Sequence, residues 1–545
     1  MHRRTLLRST AALSAALGLT AAEAGLSSPS YAAEEAVADK AQLSERTRIG
    51  RTLRRQAAER DYPTTLPDHP VNGDESSLPG RIGNYSKGLP HNDIGEVDVP
   101  AYALMLKALT SGNPADFDAI PMAGERKQLG PQGGLAYDLA GPDYAKLVVP
   151  PAPRVNSAHA AAEMAELYWL ALLRDVRFTD FEDSALAAAA AADLSTYSDS
   201  RMPKQDGKVT PHSLFRGNTP ADLTGPFVSQ FLLQTVQYGT LRVPQLHDTV
   251  QPGVDYGTEF GEWLALQRGA ARATQRDFVR TRYVQTPRDM AHYTHFDVLY
   301  QAYLNAALIM LALPQAKAQD PGNPYLASKN QMGFPTFGTP HLVSLLAEVA
   351  VRAIKHTEYQ QFYVHRRLRP EAFGGRIEVH LRRNPGRYEG LLPEEILKSE
   401  ALDRTLAKHG SYLLPQSFPE GSPMSPSYQS GHGTVAGACT TVLKAWFNES
   451  YVLTDPVVPS ADGTSLVPYT GADKDSLTIG GELNKLAANI GSGRASAGVH
   501  YRSDNTEAFR LGETIALEVM RAQKPLFNEG GSLSFTRFDG TPVTI

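Results

Sequence analysis

The stretch SYQSGHGTVAGAC, residues 427–439, sets the structure of the C-terminal third of the chain. Its Ser-Gly-His precedes a run of small and apolar residues, which predicts a closely packed helix from about residue 431 to 447. The free N–H groups and the positive dipole end at the start of a helix bind anions. We therefore expect an anion to bind where this helix begins, at Ser430, Gly431 and His432.

Two further segments supply cationic and imidazole groups. VHRRLRPEAFGG (364–375) carries Arg369 directly before a proline, and GSGRASAGVHYRSD (491–504) carries Arg494 and His500. Guanidinium groups hold tetrahedral oxyanions such as phosphate or vanadate through paired, charge-assisted hydrogen bonds. Each of these residues alone is typical of an ordinary helix end or surface. Together the three segments predict an oxyanion site.

Asp504 follows His500 by four residues. The sequence Asp504-Asn-Thr-Glu507 has the pattern of a capping box, which predicts that the last long helix begins there. Arg494 and His500 would then lie at the end of one helix and the start of the next. Asp504 could cap the last helix, orient the His500 imidazole, or do both.

The apolar pattern before Arg369 predicts a helix from about residue 341 to 368, ended by Pro370. Residues eight apart lie about 80° apart around a helix axis. Gln361 is therefore expected to face the same way as Arg369.

The three segments resemble the vanadium-dependent haloperoxidases, and GLPHNDIGEVD (88–98) with several other stretches extends the resemblance over nearly all of the mature chain. The resemblance implies an all-α fold of two four-helix bundles, of the vanadium haloperoxidase and acid phosphatase type, in a homodimer. It also implies a vanadate cofactor with His500 as the metal ligand. The matching cofactor-binding positions are Gln361, Arg369, Ser430, Gly431, His432, Arg494 and His500.

Gln361 departs from the family pattern. The bromoperoxidase-like form of this block has a vanadate-binding lysine eight residues before the arginine. Glutamine donates a hydrogen bond but carries no charge, so we expect weaker anion binding and weaker activation of peroxide.

Ser425, five residues before Ser430, is a second family-specific position. Algal bromoperoxidases have histidine there and fungal chloroperoxidases an aromatic residue. Serine resembles the bacterial enzymes of meroterpenoid biosynthesis, which halogenate one defined substrate. Those enzymes also use a nearby lysine to hold the halogen, and Lys329 is the one candidate for that role here.

The resemblance leaves several functions open. The first is halogenation of an electron-rich substrate with hydrogen peroxide and halide, in which His432 is the acid/base group and Ser425, Arg369 and Arg494 complete the catalytic set. The second is an α-hydroxyketone rearrangement, a 1,2-acyl shift on a prenylated aromatic polyketide, which needs neither vanadate nor halide. Acid phosphatase activity fits less of the chain, and a non-catalytic binding protein fits least.

The termini and composition add predictions about location and partners. Arg3-Arg4 and the apolar stretch that follows predict an export signal over residues 1–32, hence an extracellular or cell-envelope protein. The arginine pair favours the twin-arginine type, and the alternative is an ordinary secretory signal in which the pair occurs by chance. The net charge of −5 gives no reason to expect nucleic acid or an acidic membrane as partner. Cys439, the single cysteine of the sequence, is predicted to be a packed apolar residue.

A length of 545 residues exceeds a single core of about 250 to 300 residues, so we expect two packed helical parts. The predicted divisions are a wrapping segment over 33–98, an N-terminal bundle over 99–310 and a C-terminal bundle over 311–545 that carries the site. Within the wrapping segment, residues 40–59 are predicted to be helical. GPFVSQFLLQTVQYG (225–239) is predicted as one of the bundle helices, and the apolar runs are too short to span a membrane.

Overall fold

The computed structural model describes residues 45–61, 65–139, 141–272 and 278–545. The predicted export signal lies outside these residues. One compact unit ends at Asp68, and its helix α1 spans Glu45–Asp61, close to the helix predicted at 40–59. The second unit comprises His69–Ile545 and holds all of the candidate site residues.

Helices dominate the second unit, and the all-α prediction is confirmed. The α-helices are α2 (Asp74–Ser77), α3 (Val99–Ser111), α4 (Pro114–Asp118), α5 (Ala158–Leu172), α6 (Ala185–Leu194), α7 (Phe260–Gln267), α8 (Pro287–Phe296), α9 (Gln301–Leu311), α10 (Gln315–Ala318), α11 (Thr339–Glu358), α12 (Pro370–Glu378), α13 (Glu394–Leu397), α14 (Glu400–His409), α15 (Gly431–Trp446), α16 (Ile479–Ser496) and α17 (Arg502–Gln523). Two π-helical segments, Tyr359–His365 and Val379–Arg383, continue α11 and α12.

The described strands are short and pair as antiparallel two-stranded sheets, β1 with β2, β3 with β4, β5 with β6 and β7 with β8. They are β1 (Val236–Tyr238), β2 (Leu241–Val243), β3 (His247–Val250), β4 (Phe278–Arg282), β5 (Val457–Pro459), β6 (Leu466–Pro468), β7 (Ser534–Thr536) and β8 (Pro542–Thr544). The helix predicted over 225–239 is therefore wrong. That stretch holds a single 3₁₀ turn, Gln230–Leu232, and then β1, because Val236 pairs with Val243 across a tight turn.

The site depends on the close packing of α15 against α17. A Cβ added to Gly437 would lie 2.1 Å from the carbonyl oxygen of Phe509, and one added to Gly512 would lie 2.0 Å from that of Thr434. Only glycine fits where two backbones approach so closely. This contact places the start of α15 beside the start of α17, where the Ser430 amide donates to the Asp504 carbonyl at 3.1 Å. Cys439 is fully buried in α15, as predicted for a packed residue.

The chain between α11 and α12 differs from the single helix predicted over 341–368. After Glu358 the helix widens into the π-helical segment, in which the Arg366 amide donates to the carbonyl of Gln361, five residues back, at 2.9 Å. Arg366 then adopts φ 43°, which ends the helix. Arg369 is the N-cap residue of α12. Positions 361 and 369 therefore do not share a helix, and the angular argument that linked them is wrong.

The largest of three apolar clusters among the described residues of the second unit contains residues from both sides of position 310, including Trp169 of α5 and Val435 of α15. The division into bundles at that position stays a prediction. Within the ranges that the structure describes, no helix combines the length and the apolar character needed to cross a membrane.

Candidate active site

The structure brings Arg369 and His500 together in the interior. Arg369 is 2% exposed and His500 is 3% exposed, and Nη1 of the arginine lies 2.9 Å from Nε2 of the histidine. The guanidinium also donates to Ser425, from Nη2 to Oγ at 2.9 Å and from Nε to the carbonyl oxygen at 2.7 Å. Ser425 therefore holds the arginine against the imidazole.

Asp504 fixes the tautomer of His500. Its Oδ2 atom lies 3.1 Å from Nδ1 of His500, and the same carboxylate accepts hydrogen bonds from the Ser427 hydroxyl and the Tyr501 amide. Because an ionised carboxylate only accepts, Nδ1 must carry the proton and Nε2 keeps its lone pair. Burial, reinforced by Arg369 and Arg494, holds the pKa of His500 well below its usual range, so the ring is neutral.

The position of Asp504 also corrects the predicted helix start. The last helix begins at Arg502 rather than at Asp504, because the Asp504 carboxylate accepts from the backbone amide of Tyr501. Asp504 is thus the third residue of α17 and performs both of the roles left open, bonding the first turn and orienting His500.

A buried ion-pair network holds Asp504 in turn. Arg367 donates to Asp504 at 2.6 Å and to Glu163 of α5 at 2.8 Å, and its guanidinium lies 3.8 Å from the centre of the Tyr501 ring. Burial opposes the charge on Arg367, but the two carboxylates outweigh it and raise its pKa. Sequence reasoning missed Glu163 and Arg367. An acidic residue within the apolar run AAEMAELYW was the available signal, since buried acids need partners.

Arg494 supplies the second guanidinium. Its Nη1 donates to the Thr294 carbonyl at 2.8 Å, its charged group lies 5.7 Å from the centre of the Phe418 ring, and its buried Nε has no hydrogen-bond partner among the described residues. Burial lowers the pKa of both Arg494 and Arg369 to about 10, so both stay charged at neutral pH. An unpaired N–H on a buried cation is a donor that a bound anion can use.

The start of α15 supplies further hydrogen-bond donors. Ser430 is its N-cap, and Oγ accepts from the Gly433 amide at 3.2 Å, which leaves the hydroxyl proton free to donate elsewhere. The first amides of a helix have no partner within the helix. The helix begins at Gly431 and ends at Trp446, one residue from the predicted end.

His432 lies at the more open edge of the site and pairs with a residue that the sequence did not indicate. Its Nε2 is 3.1 Å from Oδ1 of Asp297, and its side chain is 30% exposed whereas that of Asp297 is 7% exposed. Asp297 is the residue that follows α8. It is 135 positions before His432, and no local pattern marks it.

Gln361 and Lys329 occupy very different places. Gln361 is buried in the π-helical segment, and its Nε2 donates to the Gln429 carbonyl at 2.6 Å, directly before Ser430. Its amide thus supports the backbone that leads into α15 and brings no charge to the site. Lys329 is exposed, in the loop that follows the 3₁₀ turn Pro324–Ala327.

Known proteins resemble this chain over most of its length. The family model described as the VCPO second helical-bundle domain matches residues 405–529, which contain α15, α16 and α17. The chain is 34% identical over 560 residues to the vanadium-dependent bromoperoxidase of Corallina officinalis, covering 87% of this chain and 92% of that protein. It is 33% identical to the vanadium-dependent bromoperoxidase of Ascophyllum nodosum, covering 90% of each.

The fold is shared as well as the sequence. The homohexameric structure of the second vanadate-dependent bromoperoxidase from Ascophyllum nodosum superimposes with a TM-score of 0.87 at 29% identity, over 92% of this chain and 90% of that one. Identity above 30% over most of the chain, with the same helical architecture, establishes the relationship. The chain therefore belongs to the vanadium-dependent haloperoxidase family.

Proposed function

We propose that the protein is a vanadate-dependent haloperoxidase that uses hydrogen peroxide and halide to halogenate an organic substrate. The observation that carries the proposal is the state of His500, which is neutral. Asp504 accepts the proton on Nδ1, so the lone pair is on Nε2, and Nε2 is in contact with Arg369. A neutral imidazole of defined tautomer is a suitable ligand for a metal centre. The relatives named above are vanadium-dependent bromoperoxidases.

The donor set fits vanadate. His500 offers one coordinating nitrogen, Arg369 and Arg494 offer positive charge, and Ser430 with the first amides of α15 offers directed hydrogen bonds. When bound, vanadate supplies the centre at which hydrogen peroxide is activated toward halide. The role of the two arginines is to balance the charge of the oxyanion.

His432 is suited to proton transfer rather than to anion binding. Asp297 orients its ring through Nε2, and its partial exposure leaves it accessible to peroxide or water. In the proposed reaction His432 accepts a proton from hydrogen peroxide, and Asp297 stabilises the imidazolium that forms.

We further propose that the substrate is a meroterpenoid of secondary metabolism, halogenated within the protein. Ser425 supports this narrower assignment because serine at its position resembles the bacterial meroterpenoid enzymes. Here the side chain bonds Arg369. The place of Lys329 in an exposed loop gives no support to a halogen-carrying lysine.

Gln361 favours a second candidate, the vanadate-independent 1,2-acyl shift of an α-hydroxyketone. Its amide is committed to the Gln429 carbonyl, so the charge that the family pattern places here has no replacement at this position. A rearrangement would use His432 as base and the two arginines as donors to the developing oxyanion.

Vanadate loading and turnover distinguish the two candidates. Purified wild-type protein is equilibrated with orthovanadate, and halogenation of monochlorodimedone is followed with hydrogen peroxide and bromide or chloride, with His500→Ala as control. We expect the wild type to bind vanadate and to halogenate, and the variant to do neither. If the wild type binds no vanadate yet converts an α-hydroxyketone without peroxide, the haloperoxidase proposal is wrong and the rearrangement stands.

Export by the twin-arginine route stays a prediction of the sequence, and assembly as a homodimer stays an expectation from the family resemblance. The similar structure is that of a homohexamer, so the mass of the purified protein in solution decides between two subunits and a larger assembly.

A further inference from the structure

Lys87 is a buried cation outside the set of groups that would contact an anion. Its side chain is 2% exposed, and Nζ donates to Oε1 of Glu371 at 2.7 Å. Nζ also donates to the backbone carbonyls of Ser422 at 2.9 Å and Glu420 at 3.3 Å. An ammonium group has three hydrogens, so all of the donors of Lys87 are engaged within the protein.

The partners of Lys87 belong to the two segments that hold Arg369. Glu371 follows Arg369 by two residues and lies in the first turn of α12. Ser422 precedes Ser425 by three residues, and Ser425 accepts from the Arg369 guanidinium through its hydroxyl and its carbonyl oxygen. Lys87 thus connects the helix that begins after Arg369 with the loop that holds the Arg369 side chain.

The Glu371 carboxylate makes a second connection between the same segments. Its Oε2 atom accepts from the Ser422 amide at 2.6 Å, and its Oε1 atom accepts from Nε2 of Gln267 as well as from Lys87. A Cβ added to Gly421 would lie 2.1 Å from Oε2, so the loop packs directly against the carboxylate. The loop is therefore fixed to α12 by an ion pair and by a hydrogen bond from its backbone.

Backbone hydrogen bonds bring the segment of Lys87 to the chain that leads into α12. The Tyr85 amide donates to the Arg366 carbonyl at 2.9 Å, and the Leu368 amide donates to the Gly83 carbonyl at 3.3 Å. This segment therefore lies beside the start of α12 and carries Lys87 to the point where helix and loop meet.

A buried ion pair adds little stability by itself. Replacing such a pair by apolar residues is often neutral, because both ions lose their hydration on burial. Burial lowers the pKa of Lys87 to about 8, and it opposes the charge on Glu371, but Lys87 outweighs it and keeps the pKa of Glu371 below its usual range. Both groups are thus charged at neutral pH, and the bonds they make are directed ones.

We propose that Lys87 and Glu371 are positioning residues, whose ion pair holds Ser425 where it binds the Arg369 guanidinium. The pair carries no net charge, so it acts on a bound oxyanion through the position of Arg369 rather than through long-range attraction. The assignment rests on the proposed function, because it identifies how one of the two anion-binding guanidiniums is held in place.

A double variant without either charge tests this role. Lys87→Met with Glu371→Gln removes both charges together and keeps an oxygen that accepts from the Ser422 amide. The matched control is Lys485→Met with Glu482→Gln, because both side chains of that ion pair on α16 are also 2% exposed and lie outside these segments. The affinities of the full chain for vanadate and for inorganic phosphate are measured for each protein, together with denaturant unfolding.

We expect both double variants to fold, and only the one at Lys87 and Glu371 to weaken binding of the two anions, by about 10-fold. In an Arg369→Lys background the same double substitution should change affinity less than about 2-fold, because lysine lacks the planar fork that bonds Ser425. Wild-type affinity in the double variant, or an equal loss in the Arg369→Lys background, overturns the proposal.

Gly421→Ala tests the same contact if the double variant does not fold. The added Cβ would push the loop away from Glu371, so we expect both anions to bind about 10-fold more weakly. Gly410→Ala is its control. Gly410 has φ 72° where Gly421 has φ 65°, but a Cβ added there meets no described atom within 4 Å beyond its chain neighbours. An equal effect of the two alanines on affinity contradicts the positioning role.

Phosphate, a tetrahedral oxyanion without a metal, keeps the two proposals apart. If the wild type binds phosphate but no vanadate, and the variants weaken phosphate as expected, the haloperoxidase proposal fails and the positioning role stands. If the wild type binds vanadate and the variants bind both anions equally well, the positioning role fails and the haloperoxidase proposal stands. Binding of neither anion by the wild type overturns both.

Discussion

The two histidines of the site lie in contrasting surroundings. His500 is almost fully buried and is held by Asp504, which Arg367 and Glu163 hold in turn. His432 is 30% exposed, and its one described side-chain partner is Asp297.

The difference separates two tasks. A rigid, dehydrated environment keeps His500 neutral and in one tautomer, as coordination requires. A half-exposed imidazole beside a carboxylate can change its protonation state during a reaction. We infer that the buried half of the site binds the oxyanion and that the open half transfers protons.

The largest effect is expected from His500→Ala. Removal of the coordinating nitrogen should lower vanadate affinity by at least about 100-fold. Loss of a residue that only hydrogen-bonds a metal ligand lowers affinity by up to that factor, and loss of the ligand itself should have a larger effect. Equilibrium dialysis with vanadate measures it, with His212→Ala as control because that histidine is half-exposed and bonds Glu182 and the Leu223 carbonyl outside the site. Affinity within a few-fold of the wild type would show that His500 is not the ligand.

Asp504→Asn should have the next largest effect. It removes the charge that faces Arg367 and replaces one of the two accepting oxygens with an NH2 donor, so His500 and Arg367 can no longer both be bonded as before. We expect a loss of about 3 kcal/mol in unfolding free energy and about 10-fold or more in vanadate affinity. Denaturant unfolding and vanadate titration measure the two quantities.

Glu163→Gln is the matched control for Asp504. Glu163 also pairs with Arg367 but does not contact His500. It should reduce stability and leave vanadate affinity within about 2-fold. Equal losses of affinity in both variants would mean that Asp504 acts through stability alone.

Asp297→Asn should affect turnover but not anion binding. The amide keeps contact with His432 but loses the charge that stabilises an imidazolium, so kcat should fall about 10-fold while vanadate affinity does not fall. In a His432→Ala background the same substitution should have no further effect. A loss of affinity as large as the loss of turnover would contradict the division of tasks.

The sequence predicted the segments of the site better than their contacts. The start of α15 at Gly431 followed from local signals, a cap residue and small apolar residues. The Asp297 contact with His432 depends on tertiary packing across 135 residues and leaves no local pattern. The widening of α11 into a π-helix at Tyr359 was missed because its apolar pattern continues that of the α-helix.

The smallest effect is expected from Gln361→Lys. A lysine here would add a charge near the start of α15 but give up the hydrogen bond to the Gln429 carbonyl, so we expect vanadate affinity to rise only about 5-fold. Gln361→Met is the control, because methionine is similar in size and loses the same hydrogen bond but adds no charge. If the lysine variant binds no more tightly than the methionine variant, position 361 does not face the anion.

A crystal structure of the wild type grown with orthovanadate tests the central claim most directly. We predict vanadium bonded to Nε2 of His500, with Arg369, Arg494 and the start of α15 around its oxygens. Vanadium bonded elsewhere, or none in this pocket at saturating vanadate, would contradict this assignment.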